Sequence, residues 1–287
     1  MLKILSILLI VLVDFNACMP GGQGITVDGY DLTKPVVMKM PAGLNEISGI
    51  TFNKGNPDTL YAEQDEEGSL FYFATNNTNN IDLHHTKFGK KGDYEDLAIC
   101  NGSVIMLRSD GTLFTFPLSQ VDADEIDNVH EIKDLLPKAE YEGMYADDQT
   151  NELFVLCKTC SVDNAKQVTG YLLQLNDSGG VSLKNNFVVD TRQIATQLNE
   201  KKIVFRPSAL AKNTLTGEWF VLSSVNELLV VMDAQWVVKK VFPLKPTLFP
   251  QPEGIAFDKD NNLYISNERG TVDAATVLKF LYKKGNN

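Results

Sequence analysis

Three glutamates, Glu95, Glu142 and Glu253, each stand second in a short segment of the same build. The segments are "YEDLAI" from Tyr94, "YEGMYAD" from Tyr141 and "PEGIAF" from Pro252. Two serines hold the same place, Ser48 in "ISGITF" and Ser208 in "PSALAK". Carboxylates this far apart in sequence act together only if a fold gathers them. Once gathered they repel, and at least one must take up a proton or the group must share a cation. Calcium accepts roughly six to eight oxygens from carboxylates, carbonyls and water. Glu95, Glu142, Glu253 and Ser48 are therefore the candidate ligands of a Ca2+ site, with Ser208 a further hydroxyl beside it. The alternative use of each glutamate is to accept hydrogen bonds from backbone amides of a neighbouring segment.

A second set ends the strands that follow: Asp65, Arg108, Lys158, Ser224 and Glu268. Mixed charge there suits a small polar ligand or a belt of ion pairs. Asp65, Arg108, Arg206, Ser208 and Glu268 are the candidate ligand-binding residues, with Arg108 and Arg206 the donors for a phosphate. Nucleophilic catalysis has little to build on: no G-x-S-x-G segment occurs, and His84, His85 and His130 are scattered. "VDADEIDNVHE" lacks the ligand spacing of an EF-hand. "CKTC", Cys157 to Cys160, reads as a local disulfide or as two unrelated thiols; zinc would want a second such pair.

The elements that must position these residues are strands. Apolar runs of four to seven residues, rich in Val, Ile, Phe, Tyr and Leu, are bounded by Gly, Asn or Asp. Segments starting at Ile47, Tyr94, Tyr141, Pro207 and Pro252 repeat the order strand, turn, strand, and usually a third strand. A period near 45 residues with three or four strands per unit defines a β-propeller blade. The expectation is an all-β, five-bladed β-propeller over residues 34–287, with Tyr61 and Tyr264 in blade packing. "YDLTKPVVMKMP", Tyr30 to Pro41, is expected to add the outer strand of the last blade and close the ring. The longest gap holds "DTRQIATQLNEKKIVFR", read as an insertion near residues 190–206. Thr191 would cap a helix there, and Ile194, Leu198 and Val204 would share one side. Six blades, with one in that gap, is the alternative count.

The chain starts Met1-Leu2-Lys3, followed by ten nearly unbroken apolar residues, Ile4 to Val13. That is short of the roughly 20 residues of a membrane-spanning helix and has the length of a signal-peptide core. Cys18 follows Ala17 and precedes a Pro/Gly-rich spacer, which resembles a bacterial lipoprotein signal. Residues 1–17 are expected to be removed, Cys18 to be lipidated, and residues 18–33 to tether the domain to a membrane of the bacterial envelope, facing the periplasm or exterior. The net charge is −11 with no basic block, so a nucleic-acid partner is not expected. A small polar ligand or a protein is.

"EISGITFNKGNPDTLYAEQDEEGSLFYF", "YEDLAI", "YEGMYAD" and "PQPEGIAFDKDNNLYISNE" resemble the SdiA-regulated β-propeller family of bacteria, from about Leu44 to the C-terminus. The resemblance implies the propeller and calcium in association with it. A broader similarity to phytase-like and strictosidine-synthase-like propellers implies the alternative function, a calcium-dependent phosphoesterase or lactonase-like hydrolase. This chain departs from the pattern at Ser48 and Ser208, and Arg108 stands where Asp65 and Glu268 suggest an acidic residue.

Overall fold

A computed structural model describes residues 26–27 and 29–284. The expected signal peptide and the lipidation site Cys18 lie outside them. Strands β1 (Thr26–Val27) and β2 (Tyr30–Asp31) pair as a small hairpin, and β3 (Val36–Lys39) follows. Four blades then run in chain order, each numbered from its inner to its outer strand. Blade one is β4 (Ile47–Thr51), β5 (Thr59–Gln64), β6 (Ser69–Ala74) and β7 (His84–Lys87). Blade two is β8 (Tyr94–Cys100), β9 (Ser103–Arg108), β10 (Leu113–Pro117) and β11 (His130–Ile132). Blade three is β12 (Ala139–Asp147), β13 (Glu152–Cys160), β14 (Gln167–Leu175) and β15 (Val181–Asp190). Blade four is β16 (Ala209–Lys212), β17 (Trp219–Ser223), β18 (Leu228–Met232) and β19 (Val238–Pro243). Blade five is β20 (Pro252–Phe257), β21 (Leu263–Asn267) and β22 (Thr276–Phe280), completed by β3. Inner strands β4, β8, β12, β16 and β20 are neighbours in that order, and β20 returns to β4. This is the five-bladed propeller that the repeats predict.

Strand sequences follow from burial on both faces. In β17, "WFVLS", Trp219 and Val221 pack against blade three, while Phe220 and Leu222 pack against blade five. In β9, Val104 and Met106 face blade one, and Ile105 and Leu107 face blade three. A strand with an apolar neighbour on each side reads as a continuous apolar run, and the two-residue period decides which blade each side chain meets. Closure occurs where expected: β3 pairs antiparallel with β22, Met38 opposite Val277. Within the stretch read as a tether, Val27, Tyr30 and Leu32 are buried against blades four and five. The Tyr30 hydroxyl donates to the Asn261 carbonyl at 2.7 Å and accepts from the amides of Asn213 and Asn261.

No sixth blade occupies the long gap. Blade three's strands are nine or ten residues each, and one short helix, α1 (Thr191–Gln197), links β15 to β16. Asp190, not Thr191, caps α1: its carboxylate accepts from the Arg192 amide at 3.0 Å. Thr191 is buried, its hydroxyl donating to the Ala165 carbonyl. Ile194 and Ala195 enter the core between blades three and four, whereas Val204 lies past the helix, exposed.

The closing strand is expected to be a stability determinant. Met38→Ala should cost about 2–4 kcal/mol, because Met38 is 1% exposed. Val37→Ala on the same strand, 44% exposed, should stay within about 0.5 kcal/mol. Urea unfolding of both variants checks this; equal effects would contradict a packed closing strand.

Candidate functional site at the axial mouth

Each glutamate of the first set sits in a β-bulge. Pairing between inner and second strands slips between Ile47 and Ile50, Tyr94 and Asp96, Tyr141 and Gly143, and Pro252 and Gly254. The residues left over are Ser48 with Gly49, then Glu95, Glu142 and Glu253. A bulge turns its extra side chain off the ladder, which is how one position in four blades comes to be re-aimed alike. In blade four the inner strand starts one residue past Ser208, at Ala209. Small residues follow where neighbouring inner strands touch. A Cβ on Gly49 would lie 2.4 Å from the Asp96 carboxylate, and one on Gly254 would lie 2.4 Å from the Ser48 carbonyl.

The two serines latch blades together. Ser48 Oγ donates to the Glu95 carbonyl at 2.8 Å, and Ser208 Oγ donates to the Pro252 carbonyl at 2.9 Å. Each reaches the inner strand of another blade; Ser208 Oγ also accepts from Ser224 N at 3.2 Å, whereas Ser48 Oγ keeps its lone pairs. Asp96, in blade two, latches with its carboxylate: it accepts from Met144 N at 2.6 Å and Leu97 N at 2.8 Å. Burial holds its pKa well above the usual carboxylate range.

Blade three carries two opposed bulges. Tyr141 faces Cys157 and Glu140 faces Thr159, so Lys158 is the extra residue of β13, as Glu142 is of β12. Lys158 Nζ forms an ion pair with Glu142 and lies 3.6 Å from Glu140. The Lys158 charge also reaches Glu95 and Glu253, lowering the pKa of both against larger opposing effects. Of the three glutamates singled out by the repeat, Glu142 thus pairs with Lys158, and Glu95 and Glu253 lie within reach of its charge. Cys157 and Cys160 are bridged, and the disulfide brackets Lys158. Asp163 lies beside them, with ligand atoms all within 4.8 Å, but both sulfurs are used in the bridge.

The second set differs from expectation in blade two. Asp65, Ser109 and Glu268 each donate a backbone N–H to the residue two before their blade's bulge: Glu46, Asp93 and Gln251. Asp65 and Ser109 also offer their carbonyls to the next blade, at Tyr94 N and Tyr141 N. Ser109 is thus the ring member, and Arg108 sits one residue early. On a strand that single step turns a side chain to the other face. Arg108 lies along its own blade, held by Asp110 at 2.8 and 3.1 Å and by Thr112, its guanidinium 5.5 Å from the Phe114 ring centre. It borders a 420 Å³ cleft with Phe88, Tyr94 and Lys133, away from the glutamates. Arg206 holds blade four's place two before the ring, matching Glu46, Asp93, Glu140 and Gln251; its side chain is exposed.

Burial and mutual repulsion dominate the electrostatics. The Glu95 carboxyl is pushed up to about 9 by burial, then by Asp93 and Glu63, with Lys158 opposing. Burial and the Glu46 carboxyl raise Glu268 to about 8; burial and then Glu46 raise Asp65 to about 6. Glu253 is also raised, by burial, against the pull of Lys158 and hydrogen bonds from Ser224 and Gln251. Glu63 was not singled out by the repeat. It is fully buried in β5 and accepts from Gly49 N at 2.7 Å, and its second oxygen has no partner. Asp65 Oδ1 and Asn267 Oδ1 are likewise buried without partners. Glu46, Asp93 and Glu140 also escaped the repeat reading. Their signal was a shared place in the repeat, two residues before Ser48, Glu95 and Glu142.

Five four-stranded blades, closed by the chain's own N-terminal strand around an acidic axial mouth, define a five-bladed β-propeller. More narrowly, the chain belongs to the SdiA-regulated family, whose sequence model matches residues 24–270. Three solved structures share the fold at 13% identity. A luciferin-regenerating enzyme has a TM-score of 0.54, covering 86% of this chain and 95% of its own. Glutaminyl cyclase of Myxococcus xanthus gives 0.53, with 88% and 98% covered. A calcium-binding protein, regucalcin, from Agrobacterium tumefaciens gives 0.50, with 89% and 97% covered. No curated protein matches the chain.

The raised carboxyls set the sign of a pH effect. Glu95, Glu268 and Asp65 bind protons more tightly in the folded chain than in the unfolded one. Their contribution favours folding below the ordinary carboxylate range and is lost as pH rises through about 6, 8 and 9 in turn. Melting temperature should therefore fall from about pH 5 to about pH 9, and Glu95→Gln should flatten the upper part of that slope. A melting temperature that rises across this range would contradict the buried acidic mouth.

Proposed function

We propose that this propeller is a binding module whose acidic axial mouth takes a divalent cation, calcium by its oxygen chemistry, and through it a small polar ligand. The reading rests above all on the buried oxygens of Glu63 and Asp65 that have no donor, beside carboxyls that burial holds protonated. A cation relieves both at once, since it supplies the missing partner and the missing charge. Glu95, Glu142 and Glu253 would be its carboxylates, with Asp65, Glu63 and Glu268 close by and Ser48 offering a lone pair. Arg206, exposed in blade four, suits the anionic part of a polar ligand; Ser208, its proton given to the Pro252 carbonyl, does not. The calcium-binding neighbour of the same fold agrees with this chemistry.

The alternative is a calcium-dependent phosphoesterase or lactonase-like hydrolase. One observation favours it: Asp65, pushed up to about 6, lies in the range where a carboxylate serves as a general base near neutral pH. A calcium titration tests the cation, and a cleavage assay separates the two readings. Calcium bound to the purified chain should be lost in Glu95→Gln/Glu142→Gln/Glu253→Gln, and equal, negligible calcium in both would end the cation reading. Calcium-dependent cleavage of a phosphomonoester or lactone by the same protein would favour the hydrolase.

The propeller is further proposed to be lipid-anchored at the bacterial envelope through Cys18, facing the periplasm or exterior. Support comes from the basic start, the apolar core Ile4 to Val13 and the Ala17-Cys18 junction. Cys18→Ser expressed in a bacterial host should move the protein from the membrane to the soluble fraction. Unchanged membrane partition would overturn the anchor.

A further inference from the structure

We propose that the Cys157–Cys160 disulfide is a redox clamp on Lys158. It holds the lysine in the acidic mouth as a built-in counter-cation, and its reduction by a dithiol opens the mouth to a divalent cation. The second half rests on the cation reading above.

Geometry carries the clamp. Four residues of β13, Cys157 to Cys160, span what three residues of β12, Tyr141 to Ala139, span opposite them. Lys158 is the surplus residue, and the disulfide ties together the two ends of that surplus, three positions apart. While the bridge stands, the segment cannot slip into a regular ladder. A slip by one residue would put Cys157 or Thr159 where Lys158 now points. A lysine on an unconstrained strand has four side-chain torsions and a strongly hydrated head, so its placement is ordinarily loose. Here the backbone beneath it is covalently closed. The ammonium, with the side chain 23% exposed, meets Glu142, itself 7% exposed, on the facing bulge.

Reduction follows ordinary thiol–disulfide exchange. A thiolate of the reductant attacks Sγ of Cys160, the less buried of the two residues. The Sγ–Sγ bond breaks, and Cys157 leaves as a thiolate that takes up a proton. The reductant's second thiol then displaces Cys160. Two electrons pass from the dithiol, which ends as a disulfide, and the protein ends with two thiols. With the bulge free to relax, Lys158 can leave. Glu95, Glu142 and Glu253 then lack one positive charge, which a divalent cation replaces.

Two readouts on the folded full domain test this. The rate at which an amine-acylating reagent modifies Lys158, followed by mass spectrometry, should rise about fivefold on reduction and in Cys157→Ser/Cys160→Ser. Calcium affinity, by calorimetry in chelator-treated buffer, should rise about tenfold or more in reduced protein and in Lys158→Met. Unchanged Lys158 labelling, with the open bridge verified by thiol counting, overturns the clamp whatever calcium does. Faster labelling with no calcium bound by any form, Lys158→Met included, supports the clamp and overturns the cation reading. Tighter binding in Lys158→Met alone, with oxidised and reduced wild type equal, overturns the clamp and keeps the cation reading. Reduced wild-type protein serves where the serine variant fails to fold.

Discussion

The whole ring depends on one pairing, β3 with β22. A propeller's sheets are stable because each is covered on both faces by its neighbours, and the five apolar cores are the five spaces between successive blades. Without β3 the last blade would keep an open edge and a thinned face toward blade one, where Met38 now packs with Leu60, Phe73 and Val277. Closure also fixes the distance across the mouth. The inner strands of blades five and one touch at Gly254 and Ser48 only because the ring is shut.

Inside that frame the mouth is a place of conflict. Bulges gather carboxyls from three blades, and burial withholds the water that would separate them. The structure meets the repulsion in two ways. Protons stay on groups such as Glu95 and Glu268, and Lys158 enters from a bulge opposite one of the glutamates. Serines and Asp96 take the quieter role at the same level, binding blades through backbone amides and carbonyls. One position in the repeat thus serves two purposes: a short side chain latches, and a long acidic one is presented to the axis. Asp96 accepts a neighbouring blade's amide, the use weighed above for the glutamates, while Ser48 and Ser208 donate to carbonyls.

Much of this was legible in the residues. Turn punctuation and the return of a polar residue before a small one placed the blades, because each blade must solve the same packing problem with similar local chemistry. Arg108 shows where such reading fails. The pattern aligned it with Asp65 and Glu268, but the length of β9 before its turn puts Ser109 there, and a single step on a strand reverses the face. Glu63 shows another limit. It sits in an ordinary strand sequence, and only the approach of Gly49 and Asp96 makes it a buried, half-satisfied carboxyl.

The sequence by itself determined the class of fold, the number of blades, the closing strand and the shared repeat position of Glu95, Glu142 and Glu253. These are matters of period and local propensity, which neighbouring residues encode. Tertiary structure alone decided that Lys158 pairs with Glu142, that Cys157 and Cys160 bridge around it, and which buried oxygens lack donors. Those outcomes depend on opposed bulges and on distances between blades. Such distances are set when the ring closes and every strand takes its register at once, and no stretch of residues specifies them alone.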